Sequence, residues 1–171
     1  APQGVYDTPE HHFQAGVRFL DKEQYREAER EFGSALALDG DYGPAMAGKG
    51  ALMAVDGVEG QARDLIDEGW DYADGPEQEL AVIVMQIRCL TYLGRFGRLD
   101  SEELADEAYD AYDDGLDLVE DNPGINDPAL HYYMGEAYFQ ALLLDSAEEM
   151  FTRVLTLGKG METEADLALK K

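Results

Sequence analysis

A triplet of small, large and small residues, spaced by four and then three positions, recurs along the chain. The copies are Ala28, Phe32 and Ala35, then Ala62, Ile66 and Gly69, and finally Ala147, Phe151 and Val154. Residues spaced in this way lie on one face of an α-helix, where a small residue admits a neighbouring helix and a large one fills the space beside it. The first two copies are 34 residues apart, and a period near 34 predicts a stack of two-helix units.

The third unit of this stack is predicted to be irregular. The offset from Ala28 to Ala147 exceeds three periods of 34 by 17 residues. A displaced copy of the triplet must therefore lie between the second and the last, and Ala108, Tyr112 and Gly115 fit it best. Asp100 and Glu103 have the spacing of a capping box, which predicts that the second helix of this unit begins there.

Three glycines occur at one phase of the repeat, twelve residues before the first alanine of a triplet: Gly16, Gly50 and Gly135. Glycine inside a helix costs about 1 kcal/mol relative to alanine, so its recurrence predicts close contact between the two helices of a unit. The helix pairs are expected near 9–21 and 23–38, 43–55 and 59–73, 77–93 and 101–119, and 127–141 and 145–157, followed by a short helix near 162–170.

The combined pattern resembles the tetratricopeptide repeat family. That family has a large residue, a small pair and an aromatic residue on the first helix, and alanine, an aromatic and a small residue on the second. The first and fourth repeats carry it in His12, Ala15, Gly16, Phe19, Tyr25, Ala28, Phe32 and Ala35, and in His131, Met134, Gly135, Tyr138, Ala147 and Phe151. Repeat two has Ile66 for the aromatic residue, and the first helix of repeat three cannot be placed in register.

The resemblance, which covers about residues 9–161, implies an all-α fold. The expected architecture is a right-handed α-solenoid of about four helix-turn-helix repeats plus a C-terminal helix. In a single domain of residues 1–171, the repeats are expected at about 9–42, 43–76, 77–120 (irregular, with an insertion) and 128–161. Residues 162–171 are expected to form a terminal capping helix; alternatively, the chain is a fragment of a longer array.

The charge of the chain is strongly negative, with 37 acidic and 13 basic residues and a net charge of −24. Nucleic acid is not expected as a partner, because phosphate binding requires a basic surface, and an anionic membrane surface is disfavoured for the same reason. Two interpretations stay open: solubility or adaptation to high salt, and an electrostatic platform for a basic partner. The best place for that platform is the acidic surface of Asp106, Asp110, Asp113, Asp114 and Asp117.

Nothing in the sequence indicates an enzyme, a cofactor or a metal site. The three histidines, His11, His12 and His131, have no His or Cys partner at ligand spacing. No phosphate loop and no arrangement of a nucleophile with a base is present. Cys89 is the only cysteine; it excludes an intrachain disulfide, and its apolar surroundings favour packing over reactivity. We therefore expect no catalytic residues, no metal and no cofactor.

The sequence leaves the location of the protein open. No apolar run approaches the about 20 residues that a membrane-spanning helix needs, so direct membrane insertion is not expected. The chain begins with Ala1, which is compatible with a cytoplasmic protein and with one exported to the periplasm after removal of a signal.

The family resemblance implies that the first helices of the repeats line a concave groove. The groove residues carried over in this way are Phe13, Val17, Leu20, Ala47, Ala51, Ala54, Tyr132, Glu136 and Phe139. Some family members grip a C-terminal carboxylate with lysine, asparagine and arginine; Phe13, Val17, Ala47 and Ala51 stand at those places, so that function is not expected. Some groove positions are alternatively interhelical core.

The function expected from this groove is a non-enzymatic scaffold that binds a peptide or helix of a partner protein. Its lining is largely apolar and its rim acidic, so the partner is expected to carry apolar anchors and basic flanks. The alternative is a self-associating structural module that stacks through its terminal helices into a homo-oligomer.

Overall fold

The computed structural model describes residues 7–125, 127–157 and 161–171, and within these ranges its regular structure is entirely helical. The prediction of an all-α chain is therefore confirmed. The α-helices are α1 (Pro9–Asp21), α2 (Tyr25–Leu38), α3 (Gly43–Val55), α4 (Glu59–Tyr72), α5 (Pro76–Arg95), α6 (Ser101–Asp121), α7 (Ala129–Gln140), α8 (Leu144–Leu157) and α9 (Glu162–Leu169). A 3-10 turn at Pro123–Ile125 follows α6.

The helices pack in neighbouring pairs. Helix α1 packs on α2, α3 on α4, α5 on α6 and α7 on α8, and these four hairpins follow one another along the chain. The first helices form a row in which α1 contacts α3, α3 contacts α5 and α5 contacts α7, while each second helix also contacts the next first helix. This arrangement is that of an α-helical repeat.

The residues of the recurring triplet are the packing residues of the second helices. Ala28, Phe32 and Ala35 are fully buried, and so are Ala62 and Val154. The displaced third copy is confirmed as well, because Ala108, Tyr112 and Gly115 are all buried on α6.

Close contact at the repeated glycines is also confirmed. A Cβ atom at Gly16 would lie 2.5 Å from the ring of Phe32, and one at Gly135 would lie 2.6 Å from the ring of Phe151. A Cβ at Gly50 would lie 2.9 Å from the backbone oxygen of Ala62. The aromatic residue of the second helix therefore packs directly on the backbone of the first helix in hairpins one and four.

The four hairpin turns share one geometry. Each contains a single residue in the left-handed region, and these residues are Glu23, Gly57, Gly97 and Leu142, with φ of 57°, 73°, 76° and 63°. In each turn the amide of the next residue donates to the carbonyl five residues before it, as Gln24 does to Phe19 and Leu143 to Tyr138. This is the turn that ends a helix in the Schellman motif, and it gives a register for all four hairpins.

That register explains why the first helix of repeat three could not be placed. The turn residue Gly97 is preceded at seven residues by Leu90, where the other hairpins have Gly16, Gly50 and Gly135. The close approach has moved along α5 to Gly94, where a Cβ would lie 2.7 Å from Leu104 of α6.

The irregular length of the third hairpin lies mainly in its helices. Helices α5 and α6 have 20 and 21 residues, whereas the helices of the other hairpins have 12 to 14. The predicted capping box is confirmed at the start of α6, since the amide of Glu103 donates to the Asp100 carboxylate at 2.9 Å and the reverse bond measures 3.1 Å.

The last helix covers the apolar side of α8. Ala165 and Ala168 of α9 are buried in a cluster with Ala147, Phe151 and Val154. The predicted fourth repeat, 128–161, includes residues 158–160, and the predicted domain includes residues 1–6 and 126; these lie outside the described residues. No helix in the described ranges has the length and apolar character needed to cross a membrane.

A candidate ligand-binding cleft

The first helices of hairpins one, three and four enclose an open cleft of about 590 Å³. Helix α1 and its turn, the second half of α5 and the middle of α7 form its walls, and α9 contributes to its edge. We call it the basic cleft, after the side chains Arg18, Lys22, Arg88, Arg95 and Lys171 that line it.

A second cavity of about 650 Å³ adjoins the basic cleft. It lies between the first halves of α1 and α5 and the starts of α3 and α7, and we call it the apolar pocket. Its apolar lining consists of Phe13, Val17, Tyr42, Ala81, Val84 and Met85, and Glu10, Asp74, Glu77 and Asp127 supply carboxylates. The two cavities share Arg18 and Tyr133, so they lie side by side along the row of first helices.

Arg88 joins three hairpins beside these cavities. Its side chain is only 5 % exposed, and its guanidinium carbon lies 4.1 Å from the centre of the Tyr133 ring on α7. Its Nη1 atom lies 2.9 Å from Oδ1 of Asp21 at the end of α1. The Tyr133 hydroxyl donates to the same oxygen at 2.5 Å. These contacts connect the first, third and fourth hairpins through Asp21, Arg88 and Tyr133, which we call the clasp.

The environment of the clasp keeps Arg88 charged and Tyr133 neutral. Burial acts to lower the pKa of Arg88, but the oxygens of Tyr133, Tyr92 and Asp21 outweigh it, and the net effect raises that pKa. Burial is also the main cause that raises the pKa of Tyr133. A buried guanidinium is strongly unfavourable unless its donors are satisfied, so the bonding of Arg88 matters.

Arg88 is not fully satisfied by the described residues. Nη2 donates to the Tyr92 hydroxyl at 3.3 Å. Nη1 is within ion-pair distance of Asp21, but it is not aligned for a hydrogen bond with that carboxylate, and no other acceptor in the described ranges reaches it. The short distance does not make up for the missing alignment, because a hydrogen bond weakens steeply with its angle.

Basic side chains are concentrated in this cleft. It holds five of the 13 Lys and Arg residues of the chain, together with four carboxylates, those of Asp21, Glu23, Glu136 and Glu164. Arg95 is paired with Glu23 at 3.6 Å, whereas Arg18 and Lys22 form no ion pair within the described residues. Among the described residues that line the cleft, cations thus outnumber acids, within a chain of net charge −24.

Besides Phe13, which is 9 % exposed, four of the expected groove residues are core residues in the structure. Leu20 is 1 % exposed, and Ala47, Ala51 and Ala54 are fully buried. Helix α3 packs against both α4 and α5, and its small side chains let these helices approach closely. The expectation that the three alanines line an open groove is therefore corrected, because they have no surface left for a partner.

The other expected groove residues are divided between three places. Phe13 and Val17 line the apolar pocket, where the Phe13 ring packs on Phe32 and Tyr42. Tyr132 and Glu136 line the basic cleft. Phe139 is 39 % exposed and lines neither cavity; Lys171 Nζ lies 5.9 Å from the centre of its ring.

The importance of Arg88 was missed at the sequence level because the third repeat had no register. Counted back from the turns, Arg88 precedes Gly97 by nine residues and Tyr133 precedes Leu142 by nine. The two residues therefore hold equivalent positions on neighbouring first helices, which is why they stack. The sequence around the turn at Gly97 was the signal from which this register could have been found.

The acidic surface of α6 is separate from both cavities. Asp106, Asp110, Asp113, Asp114 and Asp117 are all exposed. Partial burial raises the pKa of Asp114, and the charges of Asp113, Asp117 and Asp110 raise it further. The five carboxylates thus repel one another on a solvated helix face.

Hydrogen bonds and burial within the fold set the environments of His12, His131 and Cys89. His12 lies between Glu31 at 2.6 Å and Asp7 at 2.8 Å, and these hydrogen bonds raise its pKa. His131 contacts the Tyr112 hydroxyl at 2.8 Å, and burial lowers its pKa. Burial raises the pKa of Cys89 to about 12. Within the described ranges, no group of three or more potential metal ligands is close enough to hold an ion.

Comparison with known proteins gives no relative. No family model and no curated protein matches the sequence, and no solved structure matches the chain. The similarity to tetratricopeptide repeats accordingly rests on the residues themselves, namely the triplets and the glycines beneath them.

Proposed function

We propose that this chain is a non-enzymatic interaction module, a right-handed α-solenoid of tetratricopeptide-like repeats that binds a peptide or helix of a partner protein. The observation that carries the proposal is the pair of adjoining cavities, the basic cleft and the apolar pocket. Together they follow the first helices, and they offer the partly exposed side chains of Val17 in the apolar pocket and Tyr132 in the basic cleft. Aromatic and apolar anchors in a concave surface are the usual source of binding energy for peptides.

The two cavities differ in charge, so the proposed partner differs along its length. Carboxylates of Glu10, Asp74, Glu77 and Asp127 line the apolar pocket, which supports a partner with an apolar anchor and a basic flank at that end. The buried alanines of α3 take no part. The proposed groove is therefore shorter than the sequence suggested and lies mainly on α1, α5 and α7.

A selection of displayed peptides on the purified chain tests this function. We expect enriched peptides to bind, and Tyr132→Ala to weaken that binding by about thirtyfold, the effect of a hot spot of about 2 kcal/mol. The matched control is Tyr109→Ala, since Tyr109 is exposed on α6 and lines neither cavity. Equal affinity of both variants for every enriched peptide would exclude the cleft as the binding site.

The alternative, self-association through the terminal helices, is supported by one observation. Exposed leucines are concentrated at the C-terminal end of the chain, with Leu142, Leu144 and Leu167 exposed by 77 %, 57 % and 59 %. Light scattering over a range of concentrations tests this candidate. A mass that grows with concentration, and returns to that of one chain in Leu144→Glu or Leu167→Glu, would support it over the peptide-binding role.

A further inference from the structure

We propose that the basic cleft receives a carboxylate side chain of the partner segment at Arg88, with an adjacent apolar or aromatic side chain of that segment against Tyr132. This inference rests on the proposed peptide-binding function and specifies the chemistry that one end of the cleft recognises. The partner is then a segment with an Asp or Glu beside an apolar residue at this end, and a basic flank at the apolar pocket.

The bonding of Arg88 is the first argument. Its Nη1 atom is buried and pairs with Oδ1 of Asp21 at 2.9 Å, but it makes no aligned hydrogen bond with any described residue. Oδ1 of Asp21, the nearest acceptor, already accepts the hydroxyl of Tyr133. An unsatisfied buried donor is costly, and the cost is larger for a charged group. A ligand carboxylate that takes the place of Asp21 beside this guanidinium would therefore give Nη1 an aligned, charge-assisted hydrogen bond.

The distribution of charge is the second argument. Arg18 and Lys22 are exposed, line the same cleft as Arg88 and make no ion pair within the described ranges. Elsewhere the surface is dominated by acids, so an acidic segment is repelled from most of the molecule. It is attracted only where basic side chains gather, which gives specificity to the encounter as well as attraction.

The balance of charge also favours a carboxylate over a phosphate. Five basic and four acidic side chains line the cleft, so its own charge can accommodate a single negative charge better than two. The planar fork of a guanidinium matches the two oxygens of a carboxylate. Next to Arg88, Tyr92, Tyr132 and Tyr133 supply the aromatic surface that an apolar neighbour of the carboxylate would contact.

The test uses hydrocinnamate, a small molecule with one carboxylate and one phenyl ring, on the full chain. Its binding is followed by the NMR signal of the Arg88 Nε–H group, with neutral hydrocinnamide and inorganic phosphate as comparisons. We expect a saturable shift with hydrocinnamate, and at most weak, unsaturated changes with the amide and with phosphate. Equal shifts with acid and amide, or an unmoved Arg88 signal, would overturn the carboxylate site. Tighter binding of phosphate would overturn the preference for a single charge.

Substitutions at exposed positions test the site with little effect on the stability of the fold. The double variant Arg18→Gln with Lys22→Gln is expected to weaken hydrocinnamate by about tenfold, the effect of losing charge-assisted contacts. Arg30→Gln is the matched control, because Arg30 is exposed on α2 and lines neither cavity. Asp21→Asn is expected to strengthen binding, since it removes the internal carboxylate that competes for Arg88. Weaker binding in a folded Asp21→Asn protein would contradict the proposal.

Amide-capped peptides separate a failure of this site from a failure of the proposed function. Selected peptides are compared with copies in which every Asp and Glu is replaced by Asn and Gln. Loss of binding in the copies supports the carboxylate site. If the copies bind equally well and their binding still depends on Tyr132, the peptide-binding function is supported and the carboxylate site is contradicted. If hydrocinnamate binds but the selection yields no binding peptide, the carboxylate site is supported and the peptide-binding function is contradicted.

Discussion

The ring of Phe32 lies directly on the backbone of Gly16, with no space for a side chain between them. Gly48 of the next hairpin is equally close to the same ring, since a Cβ there would lie 2.8 Å from it. One aromatic residue thus joins α1, α2 and α3, and the glycines are required by contact and not by conformation.

Gly16→Ala should therefore destabilise the fold. The added methyl group overlaps the buried Phe32 ring, and overpacking of this kind costs about 1–3 kcal/mol. Gly33→Ala is the matched control, because Gly33 lies in α2 and a Cβ there meets nothing within 4 Å. Alanine at that position should stabilise the helix by up to about 1 kcal/mol. Urea unfolding measures both changes, and equal effects of the two variants would contradict the packing role of Gly16.

The shared turn geometry predicts opposite effects of glycine and alanine at equivalent positions. Leu142 has a φ of 63° and is largely exposed, so Leu142→Gly should relieve strain and stabilise the chain by about 1 kcal/mol. Gly57, at the same turn position, has a φ of 73°, so Gly57→Ala should destabilise by a similar amount. Thermal unfolding of the two variants checks the sign. Destabilisation by Leu142→Gly would show that the exposed leucine has a packing role.

The two histidines predict pH effects of opposite sign. The pKa of His12 is raised by Glu31 and Asp7, so its stabilisation is complete below its unfolded pKa of about 6.5 and is lost as pH rises through the folded pKa. His12→Gln should therefore destabilise more at about pH 5.5 than at about pH 8.5.

His131→Gln provides the comparison. Burial lowers the pKa of His131, so its contribution is complete above about pH 6.5 and falls as the pH drops below that value. The loss of unfolding free energy should be larger at about pH 5.5 for His12→Gln and larger at about pH 8.5 for His131→Gln. A parallel trend would contradict the assigned environments.

The acidic surface on α6 predicts a dependence on salt. Asp114 lies four residues from Asp110 on the same helix face, and like charges at this spacing destabilise, so Asp114→Asn should stabilise by about 0.3 kcal/mol at low salt. The gain should vanish near 1 M salt, where charges are screened beyond about 3 Å. Asp166→Asn, which removes a pair with Lys170 at 2.7 Å, should show the opposite sign. A loss of stability in Asp114→Asn would instead indicate a specific partner for this carboxylate.

The helices and their contacts follow from short-range patterns, which is why they were predictable. A triplet such as Ala28, Phe32 and Ala35 indicates which face of its own helix is buried. Gly16 indicates where the neighbouring helix must approach closely. Both signals lie within one hairpin, so neither depends on how the hairpins are arranged. The triplet on α6 was found for the same reason, although its hairpin is longer.

The cleft depends on the arrangement of the hairpins and was therefore only partly predictable. The exposure of Ala47 and Ala51 depends on how closely α5 approaches α3, which no pattern within one repeat determines. Arg88 becomes significant only when it meets Asp21 and Tyr133 from two other hairpins. Leu90, at the position where the other repeats have glycine, concealed the register that would have aligned Arg88 with Tyr133.

The clasp has a consequence for how the chain unfolds. An array whose hairpins touch only their neighbours can fray from either end, one unit after another. Here Asp21 at the end of the first unit forms an ion pair with Arg88 in the third and accepts a hydrogen bond from Tyr133 in the fourth. Opening either end therefore breaks a bond with the far side of the molecule. We therefore expect the two ends of the chain to unfold together in one cooperative step, and not one hairpin after another.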